Sequence, residues 1–274
     1  MKKRYFIFTV IAVFISCNLF AQKIVILHTN DTHSQITPQS SGNNLGGYQR
    51  RENYINKVRE ENKNVILLDA GDFSQGTPYF TLFKGDVEIE LMNALKYDAA
   101  CIGNHEFDNG PDELNRRAKN ASFPILSANY DFKDSPLSQT IKPYTIIKRA
   151  GKRIGIIGIT TNLRGLVSQK HVDGFKYSHP YNIMNKLALE LKNKENCDLI
   201  ILLTHVGFEG GHEQNPSDEL LAQNSENIDI IIGGHSHTFI KEKKTVKNKL
   251  GKDVVIVTAG SKGEYVGRLD VEFE

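Results

Sequence analysis

The sequence predicts an α/β sandwich with central sheets, and two observations lead to this prediction. Short apolar runs alternate with amphipathic stretches along the chain, which is the pattern of buried strands covered by helices. Small polar motifs follow directly after five of the apolar runs, as is typical where the strands of an open sheet end beside a ligand. No segment has the composition of a linker, so we expect one domain over residues 22–274 of the 274-residue chain.

Seven apolar runs predict the strands. A run without polar alternation indicates a strand that is covered on both faces. Such runs occupy residues 24–27, 65–68, 99–102, 154–159, 199–203, 228–232 and 254–257. Residues 265–274 predict a last strand, whereas residues 130–143 contain two prolines and predict an irregular stretch.

Four stretches between the strands predict helices. Residues 48–61 are rich in charge, and residues 87–95 and 181–191 carry apolar side chains at helical spacing. Pro111 followed by Asp112 is typical of the first turn of a further helix. Helices at these places would cover the outer faces of the predicted sheets.

The first residues predict a secretory signal peptide, residues 1–21. Three basic residues at positions 2–4 precede an apolar stretch over residues 5–15, and a polar segment then leads to Ala21. The apolar part is too short to cross a bilayer comfortably. We therefore expect cleavage after Ala21, export to the periplasm or the extracellular space, and no transmembrane helix in the mature chain. Lipid anchoring through Cys17 is the alternative.

The charge of the mature chain bears on nucleic-acid binding, and its cysteine content bears on disulfide formation. Loss of residues 1–21 removes three positive charges and changes the formal net charge from +2 to −1. A near-neutral chain without a basic stripe is not expected to bind a nucleic-acid polymer. Cys101 and Cys197 adjoin apolar runs, so we expect both to be buried free thiols.

Five polar motifs at strand ends together predict a metal-binding pocket. They are Asp31-Thr32-His33, Gly71-Asp72, Gly103-Asn104-His105-Glu106, Thr204-His205 and Gly234-His235-Ser236-His237. Each motif alone is commonplace, since a single histidine at a strand end is more often structural than a ligand. In combination they offer carboxylate, amide and imidazole groups for two divalent metal ions, and this mixture favours Mn, Zn, Co or Fe over Mg or Ca. Two adjacent divalent cations are typical of enzymes that hydrolyse phosphate esters.

The order of these motifs resembles the calcineurin-like metallophosphoesterases, and the wider match resembles the 5'-nucleotidase branch of that family. The similar segments are residues 27–33, 68–72, 76–78, 103–108 and 232–237. The resemblance runs from about residue 23 to the end and implies a four-layer αββα sandwich. It corresponds to the catalytic half of two-domain relatives, so we expect the C-terminal domain that supplies their nucleoside pocket to be absent.

The resemblance also implies individual roles. One metal would be held by Asp31, His33, Asp72 and His237, and the other by Asp72, Asn104, His205 and His235, with Asp72 bridging the two. His105 would not bind metal but would stabilise charge on the phosphoryl group or the leaving oxygen, oriented by Asp108; Asn104 also counts among the catalytic residues. The implied reaction is in-line attack on phosphorus by a hydroxide that the metals activate.

Two other polar residues near the motifs are expected in supporting roles. Glu106 is expected to hold its own loop rather than a metal. His28 lies three residues before Asp31 and is expected to pack behind the ligands rather than to join them.

These expectations predict an exported phosphoesterase that hydrolyses phosphate monoesters, with 5'-nucleotides as the expected substrates. One alternative is the catalytic half of a split 5'-nucleotidase that needs a separately encoded substrate-binding chain. Others are a 2',3'-cyclic phosphodiesterase, a nucleotide-sugar hydrolase or a metal-binding scaffold without activity. A complete ligand set together with His105 and Asp108 counts against the scaffold, because a decayed site need not keep them all.

Overall fold

The computed structural model describes residues 22–40 and 44–273, and the predicted signal peptide lies outside these residues. Its strands are β1 Gln22–Thr29, β2 Val65–Asp69, β3 Ala99–Cys101, β4 Ile125–Leu126, β5 Tyr130–Asp131, β6 Ile141–Lys142, β7 Tyr144–Arg149, β8 Lys152–Thr160, β9 Lys176–Tyr177, β10 Leu199–His205, β11 Ile230–Ile232, β12 Lys244–Lys247, β13 Asp253–Val257 and β14 Gly267–Phe273. Its α-helices are α1 Tyr48–Glu61, α2 Pro78–Phe83, α3 Asp86–Ala94, α4 Gly110–Asn120, α5 Gln169–Val172, α6 Pro180–Asn193 and α7 Asp218–Gln223.

Most strands belong to two six-stranded sheets. The first has the order β14-β1-β2-β3-β4-β6, and the second has the order β12-β13-β11-β10-β8-β7. Within the first sheet only β14 runs antiparallel to its neighbour, while β7 and β12 are the antiparallel edges of the second. The strands β5 and β9 pair separately as a short antiparallel ribbon.

The two sheets lie face to face, and the alternation of side chains along each strand shows it. In β1, Ile24 and Ile26 join the apolar cluster shared by both sheets, whereas Val25 and Leu27 join the cluster on the outer side. Neighbouring side chains of a strand point to opposite faces, so a strand that is apolar throughout is covered on both. The continuous apolar runs in the sequence follow from this double burial.

Helices cover both outer faces. Residues of α1, α3 and α4, among them Ile55, Ile89 and Leu114, pack in the outer cluster of the first sheet. Met184 of α6 and Leu221 of α7 pack in the outer cluster of the second sheet. The layers are therefore helix, sheet, sheet and helix, which confirms the predicted α/β sandwich and the four-layer αββα arrangement that the family resemblance implied.

The predicted elements recur with small shifts, apart from one stretch. The helix predicted at 48–61 is α1, and the strand predicted at 228–232 is β11, which begins at Ile230. The prediction of an irregular stretch over 130–143 was wrong, because it contains β5, a 3-10 turn at Pro136–Gln139 and β6, an edge strand of the first sheet. Strands of two residues are too short to produce a periodic pattern.

Two smaller expectations can be compared with the described residues. Cys101 and Cys197 are both buried and free, as predicted. None of the helices in the described part of the chain is long and apolar enough to span a bilayer.

Candidate functional site

The predicted ligands lie together where strands of both sheets end. Asp31 and Asp72 follow β1 and β2 of the first sheet, while His205 ends β10 and His235 follows β11 of the second. In the first sheet β1 is parallel to β2, and in the second β10 is parallel to β11. Their carboxyl ends therefore share one edge of the sandwich, and each delivers a polar side chain there.

A first group of donor atoms, site A, consists of Asp31, His33 and His237. The Nε2 atoms of His33 and His237 lie 3.0 Å apart. They lie 3.9 Å and 3.5 Å, respectively, from Oδ1 of Asp31. One carboxylate oxygen and two imidazole nitrogens thus converge on one point, although more than 200 residues separate Asp31 from His237 in the chain.

A second group, site B, consists of Asp72, His205 and His235. Nε2 of His205 lies 3.0 Å from Oδ2 of Asp72, but the two are not aligned as a hydrogen bond. The imidazole rings of His205 and His235 have their centroids 5.1 Å apart. Nδ1 of His205 lies 2.7 Å from the carbonyl oxygen of Ala70, which fixes the ring so that Nε2 faces the site.

Asp72 and Asn104 connect the two sites. The backbone N–H of His105 donates to Oδ1 of Asp72 at 2.8 Å, while Oδ2 of the same carboxylate faces site B. Donor atoms of His33, Asp72 and His105 also lie within 4.8 Å of one another, which joins Asp72 to site A. Asn104 precedes His105, and its buried side-chain oxygen has no hydrogen-bond partner among the described residues.

The backbone at the site is strained. Five of the seven predicted ligands have left-handed backbone angles: Asp31 with φ of 49°, His33 with 46°, Asp72 with 53°, His235 with 82° and His237 with 55°. Residues other than glycine seldom adopt this region, and each instance costs free energy. Such strain concentrates at functional sites, where the surrounding structure holds side chains in one orientation.

Two glycines allow the loops to approach each other. A Cβ atom on Gly103 would overlap Oδ1 of Asp72. A Cβ atom on Gly234 would lie 2.8 Å from Nδ1 of His205 and 3.1 Å from Oδ2 of Asp31. Any larger side chain at either position would displace a predicted ligand, which explains why these motifs begin with glycine.

The charges at the site compensate each other. Burial opposes the protonated form of His205, but the carboxylates of Asp72 and Asp31 outweigh it and raise the pKa of His205 to about 10. Burial opposes the ionised form of Asp72, yet His205 and His105 lower its pKa. The buried carboxylates are therefore stabilised by a nearby positive charge. A divalent cation would supply this charge in place of the proton on His205.

The other donors are suited to hold such a cation. Burial lowers the pKa of both His33 and His235, so their imidazoles are neutral and each has a free lone pair. Imidazole nitrogens with carboxylate and amide oxygens are the ligands of borderline divalent metals. The unpartnered oxygen of Asn104 agrees with this reading, because a buried carbonyl oxygen without a partner is costly. The residues present therefore fit divalent metal ions.

His105 is placed differently from the ligands. Its Nδ1 lies 2.9 Å from Oδ2 of Asp108, and its ring centroid lies 5.3 Å from that of His33. The hydrogen bond with Asp108 raises the pKa of His105, and burial only partly opposes the shift. His105 can therefore carry a proton beside the predicted metal sites.

Glu106 holds two of the loops together, as the sequence predicted. Its fully buried carboxylate accepts hydrogen bonds from the backbone N–H groups of Asp72, Ser74 and Gly103, at 3.0, 3.0 and 2.7 Å. Burial and the nearby Asp72 raise the pKa of Glu106, while the bond from Gly103 opposes the shift. The buried guanidinium of Arg117 donates to the carbonyl oxygen of Glu106 at 2.6 Å.

Sequence reasoning missed two supporting residues, Asn30 and Asp69. Nδ2 of Asn30 donates to Oδ2 of Asp31 at 2.7 Å, and its Oδ1 accepts from the N–H of Ala259. Asp69 accepts from the N–H of Gly71 at 2.9 Å and so closes the turn before Asp72. Both stand at the end of a strand directly beside a predicted ligand motif, and that position is the signal that could have identified them.

The chain matches the family model described as calcineurin-like phosphoesterase over residues 24–239. It is 35% identical over 280 residues to the 5'-nucleotidase of Homo sapiens, an alignment that covers 93% of this chain and 47% of the human protein. The chain spans about half the length of the curated relatives it matches.

Two solved structures share the fold. The 5'-nucleotidase precursor from Thermus thermophilus superposes with a TM-score of 0.84 at 34% identity, over 92% of this chain and 52% of that one. The calcineurin-like phosphoesterase YfkN from Bacillus subtilis superposes with a TM-score of 0.78 at 28% identity, over 93% of this chain and 86% of that one. The sequence and the fold therefore point to the same family.

Proposed function

Because the chain belongs to the calcineurin-like phosphoesterase family, we propose that it is a metal-dependent hydrolase of phosphate monoesters, with 5'-nucleotides as its substrates. The observation that carries the proposal is the convergence of sites A and B on the shared carboxylate of Asp72. The nucleotide substrate rests on the 5'-nucleotidases among the relatives.

The proposed ligand sets extend sites A and B. Asp31, His33, His237 and Asp72 would hold one cation, and Asp72, Asn104, His205 and His235 would hold the other. When bound, two divalent cations would lower the pKa of a water molecule and neutralise charge on the phosphoryl group. The strained loops and the close glycine contacts would keep the seven side chains in the orientation that binding needs.

The remaining chemistry falls to His105 and Asp108. A protonated His105 would donate a hydrogen bond to the phosphoryl or leaving oxygen, whose charge grows in the transition state. Asp108 would hold the ring through Nδ1, which leaves Nε2 free for the substrate. This chain supplies no covalent nucleophile in the proposal, and Asn104 would act beside His105 as both ligand and catalytic residue.

Export is part of the proposal. It rests on the basic start, the short apolar stretch and the polar exit of residues 1–21. Mass determination of the mature N-terminus after expression in a bacterial host tests it. A terminus at Gln22 supports export through a cleaved signal peptide, a lipid-modified Cys17 supports anchoring, and an intact Met1 in the cytoplasm contradicts both.

Turnover of AMP by the purified chain tests the main proposal. The protein is loaded separately with Mn, Zn, Co and Fe, and phosphate release is measured with AMP, with a 2',3'-cyclic nucleotide and with a nucleotide sugar. We expect AMP to be hydrolysed with at least one metal. Bound metal without turnover of any phosphate ester would favour the scaffold and reject the proposal.

A split enzyme is the second candidate, and the chain spans about half the length of the relatives it matches. In this case the chain would provide the catalytic half and a separate chain the substrate-binding half. Slow hydrolysis of AMP that rises when a nucleotide-binding chain from the same source is added would support it. Rapid hydrolysis of AMP by this chain alone would rule it out.

A further inference from the structure

A cleft beside the metal sites carries aromatic side chains that the proposed chemistry does not use. It is lined by Tyr130, Asn162, Arg164, Gln169, Phe175 and Tyr177, with smaller contributions from Leu163 and Val172. It encloses about 1000 Å³ when the space at its open mouth is included, which is within the range of small-molecule sites. We call it the tyrosine cleft.

The tyrosine cleft lies at the same edge of the sandwich as the predicted ligands. Thr160 at the end of β8 pairs in register with His205 at the end of β10. Asn162 and Arg164 follow Thr160 directly, so this wall of the cleft begins beside site B. On the other side, the ring of Phe175 lies 5.9 Å from that of Phe107, two residues beyond His105.

The floor of the tyrosine cleft is a rigid cluster of rings. Phe175 packs edge-on against Phe132, with the ring centroids 5.0 Å apart, and Phe132 stacks on Tyr130, with the ring centroids 5.9 Å apart. The ring of Tyr177 is tilted relative to that of Tyr130, with the centroids 5.3 Å apart, and Tyr177 is only partly buried. The phenol oxygen of Tyr130 is already used, since it accepts from the N–H of Leu163 at 2.8 Å. A ligand would therefore meet aromatic faces rather than a free phenol on Tyr130.

Polar groups stand at the mouth of the tyrosine cleft. Arg164 is exposed. Oδ1 of Asn162 accepts from the N–H of Arg164, which leaves its amide N–H groups available. Nε2 of Gln169 donates to Asp173, which leaves its carbonyl oxygen available. Donors and an acceptor thus surround an aromatic floor.

We propose that the tyrosine cleft binds the nucleobase of the substrate, so that this chain carries its own subsite for the leaving nucleoside. The proposal rests on the proposed function and names where its substrate lies. A base is flat, stacks on aromatic rings with little dependence on its identity, and offers hydrogen-bonding groups at its edge. The rings of Phe175 and Tyr177, with Asn162 and Gln169 beside them, match these properties.

A second exposed aromatic surface is the competing location. Phe239 and Tyr265 stack at 4.2 Å and are 48% and 39% exposed, and Phe239 follows His237 by two residues. Because the two rings stack, each leaves only one face open to a ligand. No Asn or Gln side chain lines the cavity beside them among the described residues. Its hydrogen-bonding side chains are those of Lys241, Lys243, Thr258, Arg268 and His28 rather than the paired amides of the tyrosine cleft, and variants there serve as the comparison.

Binding of adenosine tests the proposal without requiring metal or turnover. Dissociation constants are measured by calorimetry for the wild type and for Tyr177→Ala, Tyr177→Phe, Asn162→Ala and Phe239→Ala. We expect Tyr177→Ala to weaken adenosine binding by about fivefold or more, which is the usual effect of losing one stacking ring. Tyr177→Phe keeps the ring and is expected to bind like the wild type, as is Phe239→Ala.

Several results would overturn the proposal. They are no binding of adenosine by the wild type, unchanged binding in both Tyr177→Ala and Asn162→Ala, or a loss of binding in Phe239→Ala instead. Melting temperatures accompany each measurement, and Asn162→Ala leaves the ring cluster intact if Tyr177→Ala does not fold.

Hydrolysis of ribose 5-phosphate separates this inference from the proposed function. Ribose 5-phosphate has the ester but lacks the base, so we expect kcat/KM at least about tenfold below that of AMP. Equal turnover of both would keep the phosphoesterase and remove the base subsite. Adenosine binding that depends on Tyr177, without turnover of any ester, would keep the subsite and remove the phosphoesterase.

Discussion

Nδ1 of His105 lies 2.9 Å from Oδ2 of Asp108. Both residues belong to one tight turn, which lies directly beside the predicted metal ligands. The contact uses one ring nitrogen of His105 and raises its pKa. In the proposed function the other ring nitrogen would face a substrate oxygen. This pair would then separate the groups proposed to hold metal from a group proposed to act on the ester.

Replacement of His105 tests this division. We expect His105→Asn to keep two equivalents of bound metal while kcat falls by about 10²-fold or more, the usual effect of losing a donor to developing charge. The kcat of Asp108→Asn is expected to lie between that of His105→Asn and that of the wild type. Metal content by mass spectrometry and steady-state rates check both, and loss of metal in His105→Asn would show that it is a ligand.

Replacement of Asp72 tests the bridge between sites A and B. Both oxygens of its carboxylate are engaged, one by the N–H of His105 and the other beside His205. We expect Asp72→Asn to reduce the content of both metals and to abolish measurable turnover, because an amide bridges two cations poorly. Asp112→Asn, on the exposed first turn of α4, is the matched control. Full occupancy of both sites in Asp72→Asn would refute the bridging role.

Replacement of Glu106 tests the support beneath the loops. Its carboxylate accepts three backbone N–H groups, and the amide of Gln would direct its own N–H₂ at some of them. We expect Glu106→Gln to lower the free energy of unfolding by about 2 kcal/mol or more. Glu113→Gln, which removes a surface ion pair with Arg116, is expected to cost less than about 1 kcal/mol. Urea denaturation measures both variants. If Glu106→Gln and Glu113→Gln lowered the free energy of unfolding equally, the supporting role of Glu106 would be contradicted.

His28 predicts how stability depends on pH. It is 2% exposed and packs on Gly267, and burial lowers its pKa from 6.5 to about 4. Between these pH values the unfolded chain binds a proton that the folded protein does not, so stability is complete above pH 6.5 and falls as the pH is lowered to about 4. The loss from this residue is about 3 kcal/mol.

Denaturation of the wild type and His28→Gln over this pH range measures the effect. We expect the difference in the free energy of unfolding between the two proteins to change by about 3 kcal/mol from pH 7 to pH 4. His212→Gln, at an exposed loop histidine, is the control. A difference that stays constant across the range would show that His28 does not govern the acid response.

Much of the fold could be predicted from the chain because its main elements are long or doubly buried. The helices α1, α3, α4 and α6 and most core strands were recognised by spacing or by continuous apolar runs, whereas the two-residue strand β4 inside the first sheet was not. The strands β7 and β12 were not, since both are edges with half-exposed, partly charged sequences. An edge strand buries one face at most, so its sequence carries only a weak pattern.

What the sequence determined by itself is the chemistry of the site. The types of ligand, their position at strand ends and the glycines beside them are local properties, and a strand end is recognisable from the residues around it. From them followed the family, the supporting role of Glu106 and the expectation of a metal-binding pocket.

The tertiary structure alone decided which groups meet. It places His237 beside Asp31 and His205 beside Asp72, closes the turn on Asp69, and sets the tyrosine cleft next to site B. The order of the strands and the packing of one sheet on the other create these contacts. Periodicity within a strand specifies which of its faces are buried but not which distant strand will lie against it, because that choice depends on the packing of the whole core.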